Sequence, residues 1–206
     1  MKKSSKIAIV IVVILILIAV IVGVILLNKK KDNHLQNNNQ IAQSNLNITT
    51  TEEMESLINQ IYEGLEVYPT VVTSVIDIND ENAVNSATGL TSTEKIDAIV
   101  ISEPMISSQA YSMVLVKVKD SKDADSIAKE INEKINANKW ICVAADKVYT
   151  TSSDNIVCLV MSNEEMAKPV YDKFKEIAVG IGQEYIRDNN EGIIDGFDND
   201  GAIPAL

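Results

Sequence analysis

Residues 7–27, IAIVIVVILILIAVIVGVILL, leave this chain little choice of environment: twenty-one consecutive positions carry no charge, hydroxyl or amide. As a helix rising ~1.5 Å per residue they span ~31 Å, the thickness of a bilayer's hydrocarbon core. Fourteen of the twenty-one are Ile or Val, which ordinarily lowers helix propensity. Lipid overrides that preference, because every backbone N–H and C=O must be satisfied within the segment. Gly23 is the only glycine in the run, so no GxxxG dimerisation motif is written here. The run is longer than the ~7–15 apolar residues of a cleaved signal peptide. Asn28 and Lys29 to Lys31 follow it, rather than a small-x-small cleavage site. The first cysteine is Cys142, so no lipoprotein cysteine stands at the boundary. The expectation is one uncleaved transmembrane signal anchor.

Charge divides the chain. Six lysines flank the apolar run, three on each side, and the lysine count therefore leaves orientation tied. The default for an N-terminal signal anchor puts residues 1–6 in the cytoplasm and the large domain outside. From Asp32 onward there are twelve Lys plus Arg against twenty-nine Asp plus Glu, a net of −17. A part this acidic is a poor nucleic-acid binder, since phosphate neutralisation supplies most of that affinity. An anionic bilayer surface should repel it too. The expected partners are the membrane, through a single integral pass, and an unknown envelope protein or polymer, with no nucleic acid.

Residues 28–50 are rich in Asn and Gln and read as a solvated tether. They hold the lone histidine, His34, as an exposed residue without a second shell to make it a metal ligand. Asn47, Ile48 and Thr49 match a glycosylation acceptor, a weak motif by itself. Thr50 and Glu53 form a capping box ahead of a helix carrying Met54, Leu57, Ile58, Ile61, Tyr62 and Leu65. Residues 71–78 are β-rich, and a short helix is expected from Asn79 to Asn85, running to Gly89. Residues 96–102 read as a strand, followed by a turn at 104–108.

Residues 111–119 form the clearest strand, apolar on both faces and therefore central. Asp120 is expected to cap a helix over 121–137, with Ala124, Ile127, Ala128, Ile131 and Ile135 as its packing stripe. Strands at 148–151 and 156–161 flank a four-residue turn, Ser152 to Asn155. A last helix carries Val170, Phe174, Ile177, Ile181 and Tyr185 on one side, with Pro169 compatible only with its first turn. The acidic tail, 187–206, is expected to be mobile. The fold class is α+β: a mainly antiparallel β-sheet with helices packed on it, over 51–186, preceded by a single N-terminal transmembrane helix.

The order YSMVLVKVKDSKDADSIAKEINEKI, then VYTTSSDNIVCLVMS, resembles the bacterial, clostridial-type family called domain of unknown function 4358. The upstream ATGLTSTEKIDAIVISEPM fits the same layout, and the likeness covers about residues 52–178. Members are small exported or lipid-anchored proteins. This chain departs from the lipid-anchored ones by lacking the boundary cysteine. The resemblance implies an exported domain and carries no catalytic motif.

Chemistry is bounded mainly by what is missing. With His34 in the tether, the folded part has no histidine, which removes His-based triads, Cys–His dyads and His-containing zinc sites. Glu164, Glu165, Asp123 and Asp125 sit at spacings of solvated helix faces. Asp195 to Gly201 has part of a calcium loop's spacing, but the bidentate twelfth position falls beyond Leu206. No cofactor, metal ligand or catalytic residue is assigned. Trp140 reads as a core or edge plug. Cys142 and Cys158 form a disulfide only if the segment around Trp140 folds back to within ~5.5 Å between Cα atoms. Otherwise they are two buried thiols acting as small apolar residues. With the turn at 152–155, the residue facing Cys158 is near Tyr149.

The sequence thus points to a non-enzymatic binding or assembly module of the cell envelope, recognising its partner through a sheet edge or loops. Two other readings stay open. One is an enzyme working on an envelope polymer through carboxylates or a Ser–Lys pair. The other is a regulatory partner of a second membrane protein.

Overall fold

The computed structural model describes residues 46, 48–66 and 70–189. The expected membrane span at 7–27, His34, the calcium-like loop and the tail beyond residue 189 lie outside the described residues. Among those described, no helix is long and apolar enough to cross a membrane.

The expected capping box is present. Thr50 Oγ1 accepts a hydrogen bond from Glu53 N, and Glu53 Oε2 accepts from Thr50 N and, at 2.7 Å, from Thr49 N. These bonds satisfy donors that a helix start leaves unpaired. Helix α1 (Thr51–Tyr62) then buries Met54, Leu57, Ile58 and Ile61. Packed chain begins before it, inside the expected tether: Leu46 is buried, and Asn155 Nδ2 donates to Ile48 O at 3.0 Å.

Strand β1 (Val71–Ile76) leads to helix α2 (Glu81–Thr88), whose N-cap Asp80 accepts from Asn82 N and Ala83 N. Gly89 ends α2 in the left-handed region at φ 76°. A Cβ there would stand 2.6 Å from Ile135 N and Lys134 C, so glycine is required twice over, for conformation and for space. Strand β2 (Ile96–Pro104) runs two residues past its expected end, because Pro104 still pairs with Val71. An irregularity between Ile96 and Ala98 shifts its register. That lets Ile96 and Ile99, three apart, enter the same core.

Strand β3 (Ser112–Val118) alternates as expected. Val114, Val116 and Val118 enter one core, and Met113 and Leu115 the other. The helix foreseen at 121–137 is shorter. Asp120 caps a 3-10 turn, Ser121–Asp123, and helix α3 occupies Ala124–Lys134. Its end is fixed from a strand on the same side of the sheet: Arg187 donates to Asn132 O and Ile135 O at 2.8 Å each. A cation at a helix C-terminus meets carbonyls that have no helical partner.

Strands β4 (Lys147–Ser153) and β5 (Ile156–Ser162) overturn the four-residue turn. Only Asp154 and Asn155 connect them, with Asp154 at φ 52°, a value that Asp tolerates better than most residues. Pairing Ser153 with Ile156 moves the register by two, so Thr151 and not Tyr149 faces Cys158. Helix α4 (Glu164–Ile177) keeps Pro169 inside it, contrary to expectation. Pro169 is exposed, as is Glu165 one turn before it, so the carbonyl that Pro169 leaves without an N–H faces solvent. The helix stops at Ile177. Ile181 instead bridges Ser153, and Tyr185 begins a strand that went unforeseen, β6 (Tyr185–Asp188).

Among the described residues six strands make one sheet, antiparallel throughout, in the order β1-β2-β3-β5-β4-β6. Helices α2 and α3 cover one face over Ile99, Val114, Val116 and Leu159. Helices α1 and α4 cover the other over Val100, Leu115, Cys158 and Val160. The α+β expectation holds, in the form of a helix–sheet–helix sandwich.

Replacing Gly89→Ala should cost roughly 2–4 kcal/mol, combining a strained positive φ with a backbone collision. Chemical denaturation measures it. A loss below about 0.5 kcal/mol would mean that α2 ends some other way.

Candidate functional site

Six large apolar side chains are exposed among the described residues: Val72, Val75, Met105, Ile106, Ile141 and Ile186. None sits on a helix. Val72 and Val75 belong to β1 and Ile186 to β6, the two edges of the sheet. The other three stand on the β2–β3 and α3–β4 loops, where Met105 is 82% exposed and Ile141 67%. Ile141 N donates to Ser107 O at 3.1 Å, which brings those two loops together at one end of the sheet. The α3–β4 loop is closed on itself by Ala145 N donating to Ala137 O.

Under this loop surface lies an ion pair. Glu103 Oε1 is 2.5 Å from Lys139 Nζ. The Lys139 side chain is only 11% exposed. Its Nζ also reaches Ser86 O at 3.3 Å and lies 5.3 Å from the Trp140 ring centroid. Trp140 is partly buried against the α2/α3 core, which fits the plug expected of it. Lys139 therefore fastens the loop to β2 and α2 at once. Removing one partner of such a half-buried pair leaves the other charge uncompensated, which costs more than an exposed pair gains.

Ser112 Oγ and Gln109 Oε1 are buried near this end without a hydrogen-bond partner. Ser112 precedes Met113, the partner of Ser102 in an antiparallel pair, so its place in the register is opposite Glu103. That arrangement places a serine, a carboxylate and a lysine at one end of the sheet. Ser112 has no exposed surface, however, and a nucleophile needs a path for its substrate.

A second polar cluster lies on the α1/α4 face. Tyr62 Oη and Tyr111 Oη share a hydrogen bond at 3.0 Å, and Thr73 Oγ1 donates to Ser102 Oγ at 3.3 Å. Burial pushes both phenols above their ordinary range, Tyr111 more strongly. Buried hydroxyls held neutral and mutually bonded knit the end of α1 to the sheet.

The residues weighed from sequence are dispersed. Glu164 and Glu165 are exposed in the first turn of α4. Asp123 pairs with Lys95 at 2.6 Å, and Asp125 accepts from Gln183 N and Tyr185 Oη. These carboxylates hold elements together. Among the described residues no three His, Cys, Asp or Glu are grouped to hold a metal ion. The two cysteines are free and are not brought together. Cys158 is wholly buried in the α1/α4 core, where desolvation pushes its thiol well up. Cys142 is exposed beside Ile141, at φ 60°, so only one of the two behaves as the expected buried thiol. The clustering of Met105, Ile106 and Ile141 escaped the sequence reading, because nothing local marks an apolar loop residue as exposed.

Comparison of the chain with protein-family models, curated proteins and solved structures returned no match. The resemblance described above therefore rests on the pattern of strands and helices alone.

The native protein should present one thiol to a water-soluble disulfide reagent and two after unfolding. No reactive thiol in either state before reduction would mean a Cys142–Cys158 bond. The buried thiol and phenols have folded-state pKa values above their unfolded ones, so above about pH 9 the unfolded chain releases protons that the folded chain keeps. The denaturation midpoint should fall as pH rises from there.

Proposed function

We propose that this chain is a single-pass membrane-anchored protein whose extracytoplasmic domain is a non-enzymatic binding or assembly module of the bacterial cell envelope. The observation that carries this reading is where apolar surface remains. Both faces of the sheet are covered by helices, and the exposed large apolar side chains stand on edges and loops. Contact surfaces of this kind suit partner recognition, since monomeric soluble domains rarely group exposed apolar residues without use.

The anchor is residues 7–27, and the net charge of −17 after it supports a protein or polymer partner over nucleic acid. The likeness to an exported family supports the outward orientation. The lack of an access path to Ser112 favours binding over the Ser–Lys alternative, and the scattered carboxylates favour it over acid–base chemistry.

A tag fused after Leu206 tests location directly. Protease added to intact cells should remove it. Protection until lysis would place the domain in the cytosol, with its cysteines reduced and its partner inside.

A further inference from the structure

Sheet edges are ordinarily blunted by charge, proline, shortness or a bulge, because an open row of N–H and C=O groups recruits another strand. Edge strand β6 follows that rule: it has four residues and carries Arg187 and Asp188. Edge strand β1 does not. Its six residues, VVTSVI, include no charge, glycine or proline, and five of them are β-branched. Among the described residues its only partner is β2, and no backbone bond from its outer side reaches another of them. Val72 and Val75 are each about half exposed, at 48% and 49%. Val72 pairs with Glu103 and Val75 with Val100, so they stand on opposite faces of the sheet. A strand added outside β1 would meet an apolar neighbour on each face.

Charge says what that strand should carry. Residues 51–94, which form α1, β1 and α2, contain nine Asp and Glu and no Lys or Arg. No ion pair among the described residues involves any of those nine carboxylates. Asp77, directly after β1, is held below its ordinary range by Asn79 N and Nδ2, and stays ionised. A second copy of the chain would set one uncompensated acidic side against another.

We propose that the outer edge of β1 accepts an extended cationic polypeptide segment as a seventh strand, main-chain hydrogen bonds supplying the register and flanking Lys or Arg facing the carboxylates around β1. This rests on reading the domain as a binding module and names its partner's chemistry.

The probe is a fluorescent peptide, Lys-Lys-Val-Thr-Val-Thr-Val-Lys-Lys, titrated by anisotropy against the full chain in detergent micelles. Controls are the same peptide N-methylated at alternate residues, and one with Glu in place of each Lys. The unmethylated cationic peptide should bind at least tenfold more tightly than either control, and more weakly as salt rises. The exposed-site variants Val72→Lys and Val75→Lys, checked for folding by circular dichroism, should weaken it by a similar factor. Val72→Thr should not. Equal binding by the methylated peptide, or no binding at all, overturns the proposal. Sedimentation that shows dimers abolished by Val72→Lys overturns it in favour of a second copy. The purified protein reports on the edge whichever way the domain faces, so this result and that of the tag experiment fail separately.

Discussion

Strands β3 and β5 are apolar on both faces, and neither face can be left to water. Each fully buried Val, Ile or Leu contributes about 1.5–3 kcal/mol, whereas an exposed ion pair contributes about 0–1 kcal/mol. Covering both faces therefore decides the architecture. It requires two helical layers, which α2 with α3 and α1 with α4 provide. It also puts β3 and β5 side by side in the middle, with less apolar strands outward on either side. The surface ion pairs are decoration on that arrangement, with Glu103–Lys139 the exception, because it lies half buried beneath a loop.

A sheet closed on both faces has limited ways to recognise anything. Its strands offer only edges, and its connections offer only loop ends. The structure uses polar contacts to fix these peripheral parts. Arg187 and Asn132 hold β6 to the end of α3, Asp125 holds the segment before β6, and Lys139 holds the loop that displays Ile141. What is left exposed and apolar is correspondingly well placed. Displayed on firmly held backbone, such side chains lose less entropy on contact than they would on a loose segment.

The parts of this fold legible in the sequence are those encoded locally. Thr50 and Glu53 specify a helix start within four residues, and residues 113–118 and 156–161 specify central strands by being apolar at every or nearly every position. The parts not legible depend on distant partners. β6 is too short to show a period, and Ile177, Ile181 and Tyr185 happen to recur every four residues as a helix would. Asp154 takes a positive φ because strand pairing continues up to it, which shortens the turn from four residues to two. Pro169 is tolerated within α4 because its side of the helix faces solvent. Leu46, one apolar residue in an Asn-rich run, gives no sign that it is a core residue. The candidate surfaces follow the same division. The absence of Lys and Arg from 51–94 is plain in the sequence, but it acquires a meaning only when the sheet order puts β1 at an edge.

Residue-resolved amide hydrogen exchange on the full chain in micelles tests this layered account most directly. Amides of β3 and β5 should exchange only through global unfolding, while alternate amides of β1, those facing away from β2, exchange orders of magnitude faster. Uniform protection along β1, equal to that of β3, would contradict it: the edge would then be paired already, and the surface assigned to recognition would not be free.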